Sequence, residues 1–91
     1  MIECTRYTPY EKNYLIGFAD IFVPKWQVEI HGCGVYSKNG SRWVSLPNKE
    51  FVIDGKASFA PIIKFKDFEL AKKFGQLALD AVDEYKRKNN I

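Results

Sequence analysis

Apolar residues alternate with polar ones through the first two-thirds of the chain and then change to helical spacing. In residues 13–24, NYLIGFADIFVP, both alternating phases are apolar: Leu15, Gly17, Ala19 and Ile21 on one, Ile16, Phe18 and Phe22 on the other. Successive side chains of a strand point to opposite faces, so this strand is central or is covered on its second face by another layer or subunit. Pro24 closes it. In residues 25–38, KWQVEIHGCGVYSK, Trp26, Val28 and Ile30 share one face while Gln27, Glu29 and His31 take the other. Gly32 and Gly34 interrupt that alternation and predict a bulge or a sharp bend. Asn39-Gly40 favours a type I′ turn, whose twist matches its flanking strands, so 25–38 and the following RWVSL form a hairpin that ends at Pro47. Residues 48–58 read as an extension with a turn at Asp54-Gly55.

Residues 59–66, FAPIIKFK, are expected to supply a fourth strand, with Phe59, Ile63 and Phe65 opposed to Lys64 and Lys66. Pro61 has no N–H for a ladder, which places that strand at an edge or gives it a bulge. The period changes at Asp67, a helix cap, with Glu69 in the first turn at the positive end of the dipole. Leu70, Phe74, Leu77, Ala78, Ala81, Val82 and Tyr85 then form one stripe. The expected architecture is α+β: a four-stranded antiparallel sheet followed by one long C-terminal helix, β-β-β-β-α, in a single domain spanning 1–91.

Length sharpens that picture. A 91-residue chain supports one modest core, so association with a second copy would add stability. The net charge of +3 is unevenly placed: nine basic and six acidic residues precede position 67, and five of each follow. An excess confined to the strand-rich part suits either a weak polyanion-binding surface or ordinary solvated lysines. Cys4 and Cys33 have neither the spacing nor the companions of a disulfide framework or a zinc site, which points to two reduced thiols in the cytoplasm. MIECTRYTPYEK lacks the apolar stretch of a signal peptide, and no run reaches bilayer-spanning length, so no membrane partner is expected.

Catalysis has little foothold. His31 is the single histidine; it stands two positions from Cys33 without the glutamate or second cysteine pair that a zinc deaminase needs. Gly32 and Gly34 lack the third glycine of a phosphate cradle. Asp80, Asp83 and Glu84 read as a solvated helix face. The expectation is a non-enzyme with no cofactor, no metal and no small-molecule substrate.

Aromatics interleaved with basic residues remain: Lys25 with Trp26, Tyr36 near Lys38, Arg42 with Trp43, and Lys64 with Lys66. Single-stranded nucleic acid is held by cations that track the backbone and by flat side chains on which bases stack. Alternation sends Arg42 and Trp43 to opposite faces. If Trp43 faces away from the helix it is a platform and Val44 faces the core; if it faces in, the platform disappears and Arg42 is the exposed member.

GSRWVSLPNKEF, followed after a short insert by FAPIIKF and FGQLALDAVDEY, resembles the SpoVG-like family (stage V sporulation protein G, a septation regulator) and small phage and prophage proteins of the same layout. Gly40, Trp43, Val44, Ser45, Leu46, Pro47, Asn48 and Lys49 carry the first motif, Ala60 and Pro61 the second, and Tyr85 the end of the helix, over roughly residues 14–86. The resemblance implies a bacterial or phage homodimer that binds DNA, or RNA in some members, as a regulator. It points most directly to Lys49, the basic position after the Pro; the segment 50–58 and the low net charge depart from the pattern.

The functional expectation is therefore a small cytoplasmic homodimer that binds DNA, single-stranded DNA included, or RNA. Lys25, Lys38, Arg42, Lys49, Lys64 and Lys66 are the candidate phosphate contacts, and Trp26 and Trp43 the candidate stacking surfaces. The alternative is a protein-interaction module without nucleic-acid affinity, motivated by the two-sided apolar pattern of residues 13–23.

Overall fold

A computed structural model describes residues 2–91. It has six strands and one helix: β1 (Glu3–Lys12), β2 (Leu15–Val23), β3 (Val28–Lys38), β4 (Ser41–Ser45), β5 (Asn48–Ile53), β6 (Lys56–Pro61) and α1 (Phe68–Lys88). The first four form an antiparallel meander in the order β1-β2-β3-β4, while β5 and β6 pair only with each other. The four-stranded antiparallel sheet and the single C-terminal helix are thus present, but the sheet's outer strand is Glu3–Lys12 and not 59–66. Residues 59–61 end β6, and Pro61, unable to donate, marks the point where the chain leaves the ladder.

The doubly apolar strand is central. β2 pairs with β1 on one side and β3 on the other. One phase, Gly17, Ala19, Ile21 and Val23, is buried beneath the helix. A register irregularity between Leu15 and Gly17 exchanges the phases at the start of the strand. Ile16 consequently packs against the core, and Leu15 lines the opposite side.

The core cluster is small: Tyr7, Ala19, Ile21, Cys33, Val35, Ala78 and Val82, with Ile30, Val44, Phe74 and Tyr85 packed around it. Burying one aliphatic side chain such as Ile21 contributes roughly 1.5–3 kcal/mol. Ala78 and Val82, four apart on α1, present one narrow face to the sheet. Small Ala78 lets the helix approach closely. The Asp67 carboxylate accepts from the Glu69 and Leu70 N–H groups, which satisfies two of the four orphan donors at the helix start.

Two irregularities shape β3. Ala19 pairs with Cys33 and Ile21 with Ile30, so His31 and Gly32 both lie opposite Asp20. This is a β-bulge, and Gly32 supplies its left-handed φ of +77°. Its N–H donates to Asp20 Oδ1 at 3.1 Å, and His31 Nδ1 lies 3.1 Å from Asp20 Oδ2. Burial by itself would raise the Asp20 pKa, but the bonds from His31 and Gly32 outweigh it and hold the carboxyl below its ordinary value. The bulge also separates the two groups that the sequence sets side by side, since Cys33 turns into the core while His31 is exposed. At the hairpin tips, Asn39 (φ 49°) and Gly40 (φ 85°) join β3 to β4, and Asp54 (φ 51°) and Gly55 (φ 77°) join β5 to β6. Both pairs have the positive φ angles that a type I′ turn requires.

Candidate functional site

The two-residue turn at Asn39-Gly40 fixes the register of β3 on β4: Lys38 opposite Ser41, Ser37 opposite Arg42, Tyr36 opposite Trp43 and Val35 opposite Val44. Val35 and Val44 face the helix. Alternation therefore turns Tyr36 and Trp43 to the side of the sheet that the helix leaves uncovered. Their rings stack at 5.5 Å between centroids and 8° between planes, and Trp43 keeps 42% of its surface exposed. Gly34 makes room for this arrangement, because a Cβ there would sit 2.7 Å from Tyr36 Cε1. Tyr10 and Phe18, from β1 and β2, form a second pair on the same side at 5.7 Å.

The β5–β6 hairpin stands beside this aromatic floor, and the cleft between them has a volume of about 670 Å³. Both aromatic pairs line it, with Tyr14 from the β1–β2 turn, Leu15 from the start of β2, Ser45 beside Trp43 on β4, and Leu46, Pro47, Asn48, Glu50 and Phe59 from the opposite wall. That size lies within the roughly 300–1,000 Å³ of typical ligand sites. Lys12 lines one end, and Lys38 Nζ lies 4.8 Å from the centre of the Tyr14 ring at the same end. Glu50 is the cleft's single acidic lining residue.

Of the residues singled out from the sequence, the fold brings Trp43 and Lys38 to this cleft. Lys25 and Trp26 are exposed in the turn between β2 and β3, at the far end of the sheet. At about 3.4 Å per residue, Val28 at the start of β3 is roughly 27 Å from Tyr36, and Trp26 lies in the turn before it. Arg42 points to the helix side. Its two terminal nitrogens donate to Asp83 Oδ1 and Oδ2 at 2.6 and 2.9 Å. Lys49 pairs with Ala60, whereas the cleft is lined by its neighbours Asn48 and Glu50 on the other phase of β5. Lys64 and Lys66 lie in the irregular segment before the helix, where Lys64 borders a separate hollow with Phe65 and Phe74. Tyr10, Phe18, Tyr36, Lys12 and Glu50 are the cleft residues that the sequence reading did not assemble.

The Arg42–Asp83 pair fastens the edge strand β4 to the helix. The hydrogen bond and charge of Arg42 hold the Asp83 carboxyl below its ordinary value. A depressed carboxylate contributes stability that is present above its unfolded pKa, near 4, and is lost as pH falls through the folded value. Both side chains are about two-fifths exposed, so solvent screens the pair. A double-mutant cycle of Arg42→Ala and Asp83→Ala, followed by urea unfolding, is expected to give a coupling below about 1 kcal/mol that shrinks in high salt and is lost as pH falls through the depressed pKa of Asp83.

The two thiols have different environments. Cys33 is fully buried, and desolvation, with the charge of Asp20 adding to it, pushes its pKa up to about 12. Cys4 is partly buried and is raised as well, chiefly by burial. They lie opposite Ala19 and Ile21 on strands that flank β2, two strand spacings apart or about 10 Å, beyond disulfide reach. Titration of the folded protein with an aromatic disulfide at pH 8 is expected to leave Cys33 unmodified, with both thiols reacting in denaturant. Because the folded pKa of Cys33 is raised, its contribution to stability is complete below about pH 9 and declines towards pH 12.

Among the described residues no helix is long and apolar enough to cross a membrane, and no group of three or more His, Cys, Asp or Glu side chains is placed to hold a metal ion. Comparison with protein-family models, with curated proteins and with solved structures found no match for this chain.

Proposed function

We propose that the protein is a small cytoplasmic nucleic-acid-binding regulator that takes DNA or RNA on the uncovered, aromatic side of its sheet and works as a homodimer. One observation carries the reading: Trp43 lies half-exposed on the helix-free face, stacked on Tyr36 and flanked by Tyr10 and Phe18. Flat side chains on an open sheet are the surface on which bases stack, at roughly 1–3 kcal/mol per base. Lys12 and Lys38, at one end of the cleft, are the phosphate partners nearest to that platform. Lys49, on the adjoining hairpin, faces away from the cleft, and Lys25, Arg42, Lys64 and Lys66 also lie away from it, Arg42 anchoring the helix. The motif resemblance to the SpoVG-like family favours the same class. Dimerisation draws support from the small core and from Val52, Phe59, Ile62, Phe68 and Leu70, all more than half exposed.

The test is an anisotropy titration with labelled single-stranded and duplex oligonucleotides at two salt concentrations. Saturable binding at low micromolar protein that weakens with salt supports the proposal. No binding in low salt overturns it.

A second reading, a protein-interaction module, is favoured by the near balance of charge around the cleft, where Lys12 is matched by Glu50. Capture of a specific protein that persists after nuclease treatment would select it.

A further inference from the structure

We infer that the cleft between the sheet and the β5–β6 hairpin takes unpaired bases that bear an exocyclic amine, with Glu50 as the residue that selects them. The inference rests on the nucleic-acid reading above and adds to it the kind of base and the group that reads it.

The aromatic floor lies at the bottom of a cleft and is walled by the hairpin. A duplex keeps its base faces inside the stack, so a ligand that uses this floor must present bases free of pairing. Two chemically different sides then meet in the cleft. The floor offers the stacked Tyr36 and Trp43 rings with Ser45, and the wall offers Asn48 and Glu50.

Glu50 is the unexpected member. A carboxylate among phosphate-binding groups repels the nucleic-acid backbone, so its position argues that the backbone does not run along that wall. The basic groups Lys12 and Lys38 lie at the end of the cleft by the β1–β2 and β3–β4 turns, and Lys38 rests on Tyr14. Phosphates placed there would leave the bases projecting inward, over Trp43 and towards Glu50. Ion pairs occupy His31, Arg42, Arg87 and Lys88, and none of these involves Glu50. Its position is also held by the ladder, since Glu50 pairs with Phe59 and both side chains line the cleft.

A carboxylate only accepts hydrogen bonds. Cytosine and adenine offer an amine on the edge that remains free in a single strand, and guanine offers both an amine and a ring N–H. Thymine and uracil have no amine, and their one edge donor, the ring N3–H, lies between two carbonyl oxygens that a carboxylate repels. A good pair of this kind discriminates by about 1–3 kcal/mol, or roughly five- to 150-fold. The chemistry therefore ranks C- and A-containing single strands above T or U.

Three labelled 12-mers, dC12, dA12 and dT12, and a C-rich hairpin duplex, titrated at pH 7.5 against the wild type and Glu50→Ala, test the inference. Expected are dC12 and dA12 bound about tenfold more tightly than dT12, the duplex weakest, and the C-to-T ratio falling to within about twofold in Glu50→Ala. Because Glu50 is exposed, the variant is expected to fold, which circular dichroism checks. In Glu50→Ala the cytosine and adenine strands lose a hydrogen bond and the thymine strand loses a repulsion, so the ratio is the readout. Equal affinity for dC12 and dT12, or a ratio unchanged in Glu50→Ala, overturns the inference and leaves the nucleic-acid reading standing. Absence of binding to all four probes overturns both.

Discussion

Ile21→Ala is expected to be the most damaging single substitution away from any binding surface, destabilising the fold by about 2–5 kcal/mol. Ile21 has no exposed surface and sits on the central strand, opposite Cys4 on one side and Ile30 on the other, beneath the helix. Few large side chains share that burial; Val35 and Val82 are the other fully enclosed aliphatics. With so little core, neither neighbouring strand can shift to fill the gap without giving up contacts of its own, which keeps the cavity contribution high. In a domain of this size, 1 kcal/mol corresponds to roughly 4–8 °C in Tm, so a fall of more than about 10 °C is expected. Urea and thermal unfolding followed by circular dichroism check it. A change under 1 kcal/mol would mean that the helix does not pack on this face as described.

Trp43→Ala is the functional counterpart. Losing one stacking surface is expected to weaken single-stranded oligonucleotide binding by about tenfold, while Trp43→Phe retains most of the affinity. The cost to stability is smaller, because Trp43 is 42% exposed and its main partner is Tyr36; an aromatic pair contributes roughly 0.5–1.5 kcal/mol beyond its buried area. Anisotropy with a labelled 12-mer, with unfolding curves run in parallel, separates the two effects. Unchanged affinity in a folded Trp43→Ala would remove the platform from the binding site.

Much of the scaffold is legible in the chain itself, for identifiable reasons. The helix announces itself through its stripe and through Asp67, both of which behave as local physics requires. Asn39-Gly40 does more than mark a turn. A two-residue loop imposes 38 on 41 and 36 on 43, so the Tyr36–Trp43 pair follows from counting outward from the turn. The orientation of Trp43 needed one further fact, namely which phase of β3 meets the helix, and that depends on the bulge at His31-Gly32. β1 escapes notice because an edge strand buries little: Tyr7 is its single buried residue, Pro9 interrupts it, and Glu3, Arg6, Glu11 and Lys12 alternate with no apolar phase. Residues 59–66 mislead in the opposite way. Their alternation is that of a strand, but Pro61 and the Asp54-Gly55 turn commit the first part to a private hairpin with 48–53. The candidate cations are neighbours of aromatic or motif residues in sequence, and alternation disperses such neighbours: Arg42 goes to the helix and Lys49 to the far phase of its strand.

The separate β5–β6 ribbon gives one wall of the cleft a mechanical character unlike its floor. Two strands on their own are marginal in water, and this pair hydrogen-bonds only within itself, the Ile62 N–H to Pro47 carbonyl bond at 3.3 Å closing its base. The floor belongs to a four-strand sheet braced by a helix; the wall is the part that opens first when the molecule breathes. Under the proposed function, a single strand would be laid down sideways on a rigid bed and then clasped, with no need to be threaded end-first, so long polymers without free ends would be accessible to it.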